Sequence, residues 1–438
     1  MTATMVPQQS APVAASGTDS GILPALAGAA TCLLPFLHPA GPGNTGVADV
    51  AICGAIVVAF LWISRNRIPL AFPYVVGVSG LMMGGAFASA TSGAPLSTLL
   101  VLAQDALLFL WGMTLALGSR DARIVSAVTT AWCRTAAVYA SVVVVAYLVG
   151  FSPLSGVTAR DGARAAYTFG DPNLAGNYLV MSLFVIAACR RPRSATVRHF
   201  TYVMLLTAIT FTGSNGALLT LVLGATLTLA ISAYRRRGVR AGVLTLVATV
   251  TIGASLVTYV ETQVNLDQVR QQMANSVPLI RDSLARSGGS ESQRATILQE
   301  GFHLFLQGDG TGYGPGQTKT TLERTQAPYV KEAHNDYLAA LLERGVLGEI
   351  SLFVLGGAMA ARCIRLLIGR LPPEYEAIVP RAWLLVVILP ATAVSSTFYE
   401  VLHFRHLWTW LGLIAALVLV IERQERPQPS ARREEMVR

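Results

Sequence analysis

Apolar residues run through this chain in long blocks rather than in the three-and-four spacing of a helix with one wet face. A helix needs about 20 apolar residues to cross a hydrocarbon core of about 30 Å. Twelve blocks meet that need, centred near Ala29, Ile56, Ser79, Leu108, Val138, Leu183, Leu206, Leu223, Val250, Leu355, Val387 and Leu413. Between the seventh and eighth stands Gly213-Ser214-Asn215-Gly216, a turn-prone cluster that predicts a tight hairpin. Only one polar interruption is long, residues 261–344. Inside it, Ile297, Leu298, Phe302, Leu304 and Phe305 predict an amphipathic helix over Ala295–Gln307 lying on the bilayer, with Ser290 and Gln293 as its capping box. From His334 onward, Tyr337, Leu338, Leu341 and Leu342 form a helical stripe. Gly345 marks a break before Val346 opens the tenth span.

Composition agrees. Hydrophobic residues make up 53% of the chain and charged ones 13%, about half the share usual in soluble domains. The expectation is an all-α polytopic integral membrane helix bundle of twelve transmembrane helices. It divides into a disordered tail (1–20), spans one to nine (21–260), a helical outer-face loop (261–344), spans ten to twelve (345–421) and a basic tail (422–438). The tail 1–20 has no Lys or Arg and so lacks the basic start of a signal peptide. The net charge of +9 comes from arginine, since Lys319 and Lys331 are the only lysines. Arginines fall in short runs between apolar blocks, as topology signals do, which argues against nucleic acid. An amino terminus in the cytoplasm puts every basic loop on the inner face, from Arg65 and Arg67 through Arg235, Arg236 and Arg237 to the carboxyl tail. Both termini are then cytoplasmic, and 151–172 and 261–344 face outward. Cys32, Cys53, Cys133, Cys189 and Cys363 show no paired spacing, so neither disulfides nor a metal site is indicated, and no cofactor is called for.

The outward loop is where chemistry is expected. His334 is a titratable imidazole beside a hydrophobic slab, suited to acid/base work on a lipid-borne substrate. It is expected in the first turn of a short helix, where the positive end of the dipole favours the neutral ring. In Gly308-Asp309-Gly310-Thr311-Gly312-Tyr313-Gly314-Pro315-Gly316, alternate glycines open backbone amides to an anion or make a flexible turn. No strand precedes it and no P-loop Lys-Ser/Thr follows, which excludes a nucleotide-binding signature. Two charges fall inside spans, Asp105 in the fourth and Arg134 in the fifth; their similar depth predicts a salt bridge between them. Asp171, before Pro172, is expected to cap the sixth helix.

His334-Asn335-Asp336-Tyr337-Leu338 with Glu343-Arg344-Gly345-Val346-Leu347-Gly348 resembles the region after the large outer loop of the O-antigen ligase and O-antigen polymerase superfamily. Arg164-Ala165-Ala166-Tyr167-Thr168-Phe169-Gly170-Asp171-Pro172-Asn173 is similar to the family's stretch opening the sixth span. Arg294 followed by the glycine-rich turn matches its Arg-helix-Gly order. The resemblance covers about residues 150–420. It implies a metal-independent, inverting glycosyltransferase of the bacterial cytoplasmic membrane that moves a glycan from undecaprenyl diphosphate at the outer face. The acceptor would be a hydroxyl of lipid A-core in a ligase, of another repeat unit in a polymerase, or of a protein side chain. On this resemblance His334 is the base, and Arg294, Arg164 and Arg160 clamp the diphosphate with Lys331 as an auxiliary charge. Many members carry Ser-Arg at the outward turn where this chain has Ser214-Asn215. Asn215 can donate a hydrogen bond there but brings no charge, leaving Arg164, Arg160 or Arg405 to supply it. Two rivals of other kinds are a lipid-glycan flippase and a polymerase using a loop carboxylate, for which Glu291, Glu323, Glu332 and Asp336 are the residues. The first would be expected to show repeated halves, and none is present.

Overall fold

The computed structural model of the protein describes residues 21–37, 45–69, 71–93, 95–158, 163–263, 295–328, 330 and 332–425. Among them every regular element is helical, and each of the twelve apolar blocks centres inside a helix. The helices are α1 (Ile22–Leu33), α2 (Val47–Asn66), α3 (Val75–Thr91), α4 (Pro95–Ala116), α5 (Ala122–Leu148), α6 (Pro172–Cys189) and α7 (Ala195–Thr212). They continue with α8 (Asn215–Arg237), α9 (Val239–Gln263), α10 (295–307), α11 (Thr318–Arg324), α12 (Asp336–Ile368), α13 (Trp383–Ser395) and α14 (Arg405–Glu425). Seven of them, α2, α4, α5, α6, α8, α12 and α14, are long and apolar enough to cross a membrane. α1, α3, α13 and residues 239–255 of α9 are apolar but shorter. Val243, Leu244, Val247 and Val250 of α9 point outward, a surface that suits lipid and not water. The chain is a polytopic helical membrane protein.

The core sits around α14, buried almost throughout from Leu407 to Val418. Its few polar groups are matched to neighbours: Trp111 Nε1 donates to Thr409 Oγ1 at 2.9 Å, and His406 Nε2 lies 2.8 Å from Asn177 Oδ1. In hydrocarbon such pairs tie helices together without help from the hydrophobic effect. α3 lies along α12, with Gly77 against Leu355 and Gly84 against the Arg344 carbonyl, so close that a Cβ at either would sit 2.7 Å from its neighbour.

The arginine-bearing ends gather on one face. Arg423 donates to the Ser119 carbonyl at 2.5 Å and Arg235 to the Leu367 carbonyl at 3.0 Å, while Arg365 pairs with Glu425. The expected hairpin after α7 is present: Gly213 adopts φ 54° and Ser214 caps α8 by accepting from the Ala217 amide at 3.2 Å. Asp171 caps α6 as expected, accepting from Asn173 and Leu174 amides at 2.7 and 2.9 Å.

The expected Asp105–Arg134 pair does not form. Arg134 is exposed, and Asp105 turns instead to Arg344, whose Nη2 is 2.5 Å from its Oδ2. Depth along two neighbouring helices fixes height but not the angle at which each side chain leaves its axis, and α5 turns Arg134 away.

Candidate functional site

α12 is two arms. Tyr337 and Phe353 are sixteen residues apart, about 24 Å along a straight helix at 1.5 Å per residue, yet their rings lie 6.2 Å apart. The chain doubles back at Gly345, whose φ of 67° and ψ of −166° break the helix where the sequence placed the break. The first arm, Asp336 to Arg344, is therefore folded against the second at the level of Leu352 and Phe353. A reversal inside a bundle leaves backbone groups without helical partners. The glycine-rich turn supplies them: Tyr313 N–H donates to Leu342 O at 2.8 Å, Gly314 N–H to Glu343 O at 3.1 Å, and Gly310 O accepts from Val346 N–H at 3.0 Å. The Glu343 carboxylate accepts from Gly316 N–H at 2.8 Å and Thr318 Oγ1 at 2.7 Å. Of the amides of this turn, that of Gly316 holds a carboxylate, the chain's own Glu343, while those of Tyr313 and Gly314 serve backbone carbonyls. The turn is a strap over the helix break.

His334 lies two residues before α12, outside its first turn, because Asn335 is the N-cap and accepts from the Tyr337 and Leu338 amides at 2.9 and 3.1 Å. Its φ of 47° is unusual for a residue with a Cβ and costs roughly 1–3 kcal/mol. Glu400 holds that conformation by accepting the His334 N–H at 3.0 Å. Asp336 fastens the same loop, accepting from the Val401 and Leu402 amides at 2.9 and 3.3 Å. The imidazole borders a cavity of about 200 Å³ whose other walls are Ala295, Ile297 and Leu298 of α10 and Thr397 and Phe398.

Behind Glu400 runs a charged network. His403 Nδ1 is 3.1 Å from Asp105 Oδ1, and its Nε2 is 3.7 Å from Glu400 Oε2. Arg344 Nη1 has no hydrogen-bond partner among the described residues. Burial pushes the Glu400 carboxyl up to about 8, with the Glu343 charge adding to it and His403 opposing. For His403 burial disfavours the cation, but the Asp105 charge and hydrogen bond outweigh it and raise its pKa. A neutral acid beside an imidazolium that faces a fixed carboxylate is a set of groups able to pass a proton.

The structure brings Arg164 to the α7–α8 turn. Its Nε donates to Thr212 O at 2.8 Å and its Nη2 to Asn173 Oδ1 at 2.7 Å, so a guanidinium stands beside the turn where Asn215 is exposed. Tyr399 donates to the same Asn173 Oδ1 at 3.0 Å and packs its ring over Gly216. Tyr399 and Glu400 are consecutive, and α-carbons of consecutive residues are about 3.8 Å apart; one loop thus ties His334 to the Arg164–Asn215 corner. Arg405 faces elsewhere, its Nε and Nη2 both 2.6 Å from the buried Asp49 carboxylate. Arg160, Arg294, Lys331, the Ser290–Gln293 capping box and Glu291 lie outside the described residues. The described part of α10, from Ala295 on, borders the His334 cavity.

Sequence reasoning missed Glu400, His403 and the partnership of Asp105 with Arg344. The signal was present: a Glu and a His three residues apart between two apolar blocks, in a chain with few charges, deserve the weight given to Asp105.

These features define a helical membrane protein with a small cavity bordered by His334 and, behind Glu400, a buried charged network. Residues 200–353 match the family model described as O-antigen ligase. The matched stretch contains Asn215, Arg294, Lys331 and His334; Arg160, Arg164 and Arg405 fall outside it. No curated protein matches the chain.

Proposed function

We propose that the protein is a glycosyltransferase of the bacterial cytoplasmic membrane, with twelve spans and both termini inside. It moves a glycan from undecaprenyl diphosphate to an acceptor hydroxyl at the outer face, in the manner of an O-antigen ligase. The acceptor O–H gives its proton to His334 as its oxygen attacks the anomeric carbon. The bond from that carbon to the diphosphate oxygen breaks, and the configuration inverts. Arg164 meets the departing diphosphate by charge-assisted hydrogen bonds, with Asn215 donating beside it and Arg294, Arg160 and Lys331 completing the cationic wall. Arg405 serves through Asp49, fixing the outer end of α14 against α2. The observation that carries this reading is the loop of Tyr399 and Glu400, which joins the backbone of His334 to the arginine corner.

The test is transfer of a lipid-linked glycan in membrane vesicles. Replacing His334 by Ala or Gln is expected to lower turnover by about 10²–10⁴-fold, the usual weight of a general base; undiminished transfer removes His334 from that role. Profiling glycolipids of a deletion strain separates the acceptors. Long glycans stranded on undecaprenyl diphosphate mark a ligase, whereas acceptors carrying a single repeat mark a polymerase.

A further inference from the structure

At the arginine-rich end of the bundle, away from His334, α6 and α8 part to leave a cavity of about 670 Å³ closed at its side by the start of α13. Its walls are apolar, with Leu183 and Phe184 from α6 facing Leu221, Ala225 and Leu229 from α8. The two helices approach closely beside it at Gly224, where a Cβ would lie 2.3 Å from the Phe184 ring. Between Leu221 and Ser232 the slot runs eleven residues, about 16 Å at 1.5 Å per residue. That is the thickness of one leaflet of a hydrocarbon core of about 30 Å.

The mouth is cationic. Arg235, Arg236 and Arg381 border it with Trp383, and among the described residues no carboxylate does. Arg235 spends one hydrogen bond on Leu367 O. The Arg236 and Arg381 side chains make no hydrogen bond or salt bridge among the described residues, and both residues are exposed. Guanidinium groups and a Trp indole at the end of an apolar slot are what the headgroup level of a bilayer selects.

We infer that this cavity is a binding site for one anionic phospholipid, its phosphate held by Arg235, Arg236 and Arg381 and an acyl chain lying between α6 and α8. A soluble phosphate would meet the same cations but leave the slot unfilled. A zwitterionic lipid would bring its ammonium group against three arginines.

Native mass spectrometry of the full chain in neutral detergent tests this, with phosphatidylglycerol and phosphatidylethanolamine of identical acyl chains offered at equal concentration. The wild type should retain phosphatidylglycerol preferentially. The double variant Arg236→Gln, Arg381→Gln should lose that preference by about tenfold. The variant Arg65→Gln, Arg67→Gln, which removes as much charge at the same end, should keep it. Ala225→Trp fills the slot with every arginine in place and should lower retention as strongly, which decides the matter if the first variant fails to fold. Equal retention of both lipids by the wild type, an undiminished preference in either cavity variant, or displacement of phosphatidylglycerol by inorganic phosphate at matching concentration would each overturn the proposal.

Discussion

Two buried carboxylate–arginine pairs join distant helices in this protein, and they are built differently. Asp49 and Arg405 meet through two parallel hydrogen bonds of 2.6 Å, each carboxylate oxygen taking one donor. Asp105 gives one oxygen to Arg344 and the other to His403, and Arg344 keeps Nη1 without a partner among the described residues. The first pair is closed and fixes α2 to α14. The second is open: it links α4 to the apex of α12 and, through His403 and Glu400, to the backbone of His334. A closed pair has little left to offer a substrate or a proton, whereas an open one can change its charge state, and it is the open one that borders the proposed chemistry.

The largest effect should come from removing the carboxylate of the open network. Asp105→Ala leaves Arg344 buried without its carboxylate and His403 with Glu400 alone, and is expected to cost about 3–5 kcal/mol, read as a loss of thermal stability in detergent. Asp49→Ala strands only Arg405 and should cost less. An equal or larger loss at Asp49 would break the contrast, because both sites would then be simple pairs.

Gly345→Ala comes next. Its φ of 67° disfavours any Cβ, and that atom would lie 2.2 Å from Gly310 O in the strap. The expected loss is about 3 kcal/mol, with the arms of α12 splaying and Arg344 moving off Asp105. If the variant unfolds no earlier than the wild type, the strap does not hold the open network in place.

The helices and this break were legible in the sequence because they depend on local pattern: twelve apolar blocks became helices, and Gly345 broke α12 where a glycine preceded the tenth block. The site was legible in part. His334 stood out by residue type, and Asp171 by its place before a proline. What could not be read was angular and long-range. Asp105 and Arg134 matched in depth, yet the partner of Asp105 came from residue 344, because sequence spacing says nothing of which way two distant helices face. The glycine turn read as either an anion cradle or a flexible turn, and the carboxylate that its Gly316 amide holds, Glu343, lies 27 residues downstream. Glu400 and His403 fell in a short polar gap that hydropathy counts as an ordinary turn.

The open network should also respond to pH. A glutamate titrates near 4.5 when unperturbed, while folded Glu400 keeps its proton to about 8. Between those values the folded state binds more protons than the unfolded one, so stability falls as pH rises through the window and levels off above it. His403 acts in the same direction, since its pKa is also raised. Unfolding temperature followed across that window should decline in the wild type and decline less steeply in Glu400→Gln, where His403 alone of the two remains. A wild-type profile already flat would mean that Glu400 is ionised in the folded protein and that the network is closed after all.

The smallest effect sets the scale for the others. Asp171 is an exposed carboxylate whose contacts are the two amides at the start of α6. Asp171→Ala removes a helix cap and should cost about 1 kcal/mol, because the freed amides are near the surface and no cation is stranded. It lies only two residues from Asn173, which Arg164 and Tyr399 share, so the substitution asks whether that corner is held by the helix cap or by its own hydrogen bonds. The expected result is a small loss of stability with glycan transfer unchanged. A large loss of transfer at unchanged stability would move Asp171 from the scaffold into the site, and the contrast between closed and open carboxylates would then have to include a third.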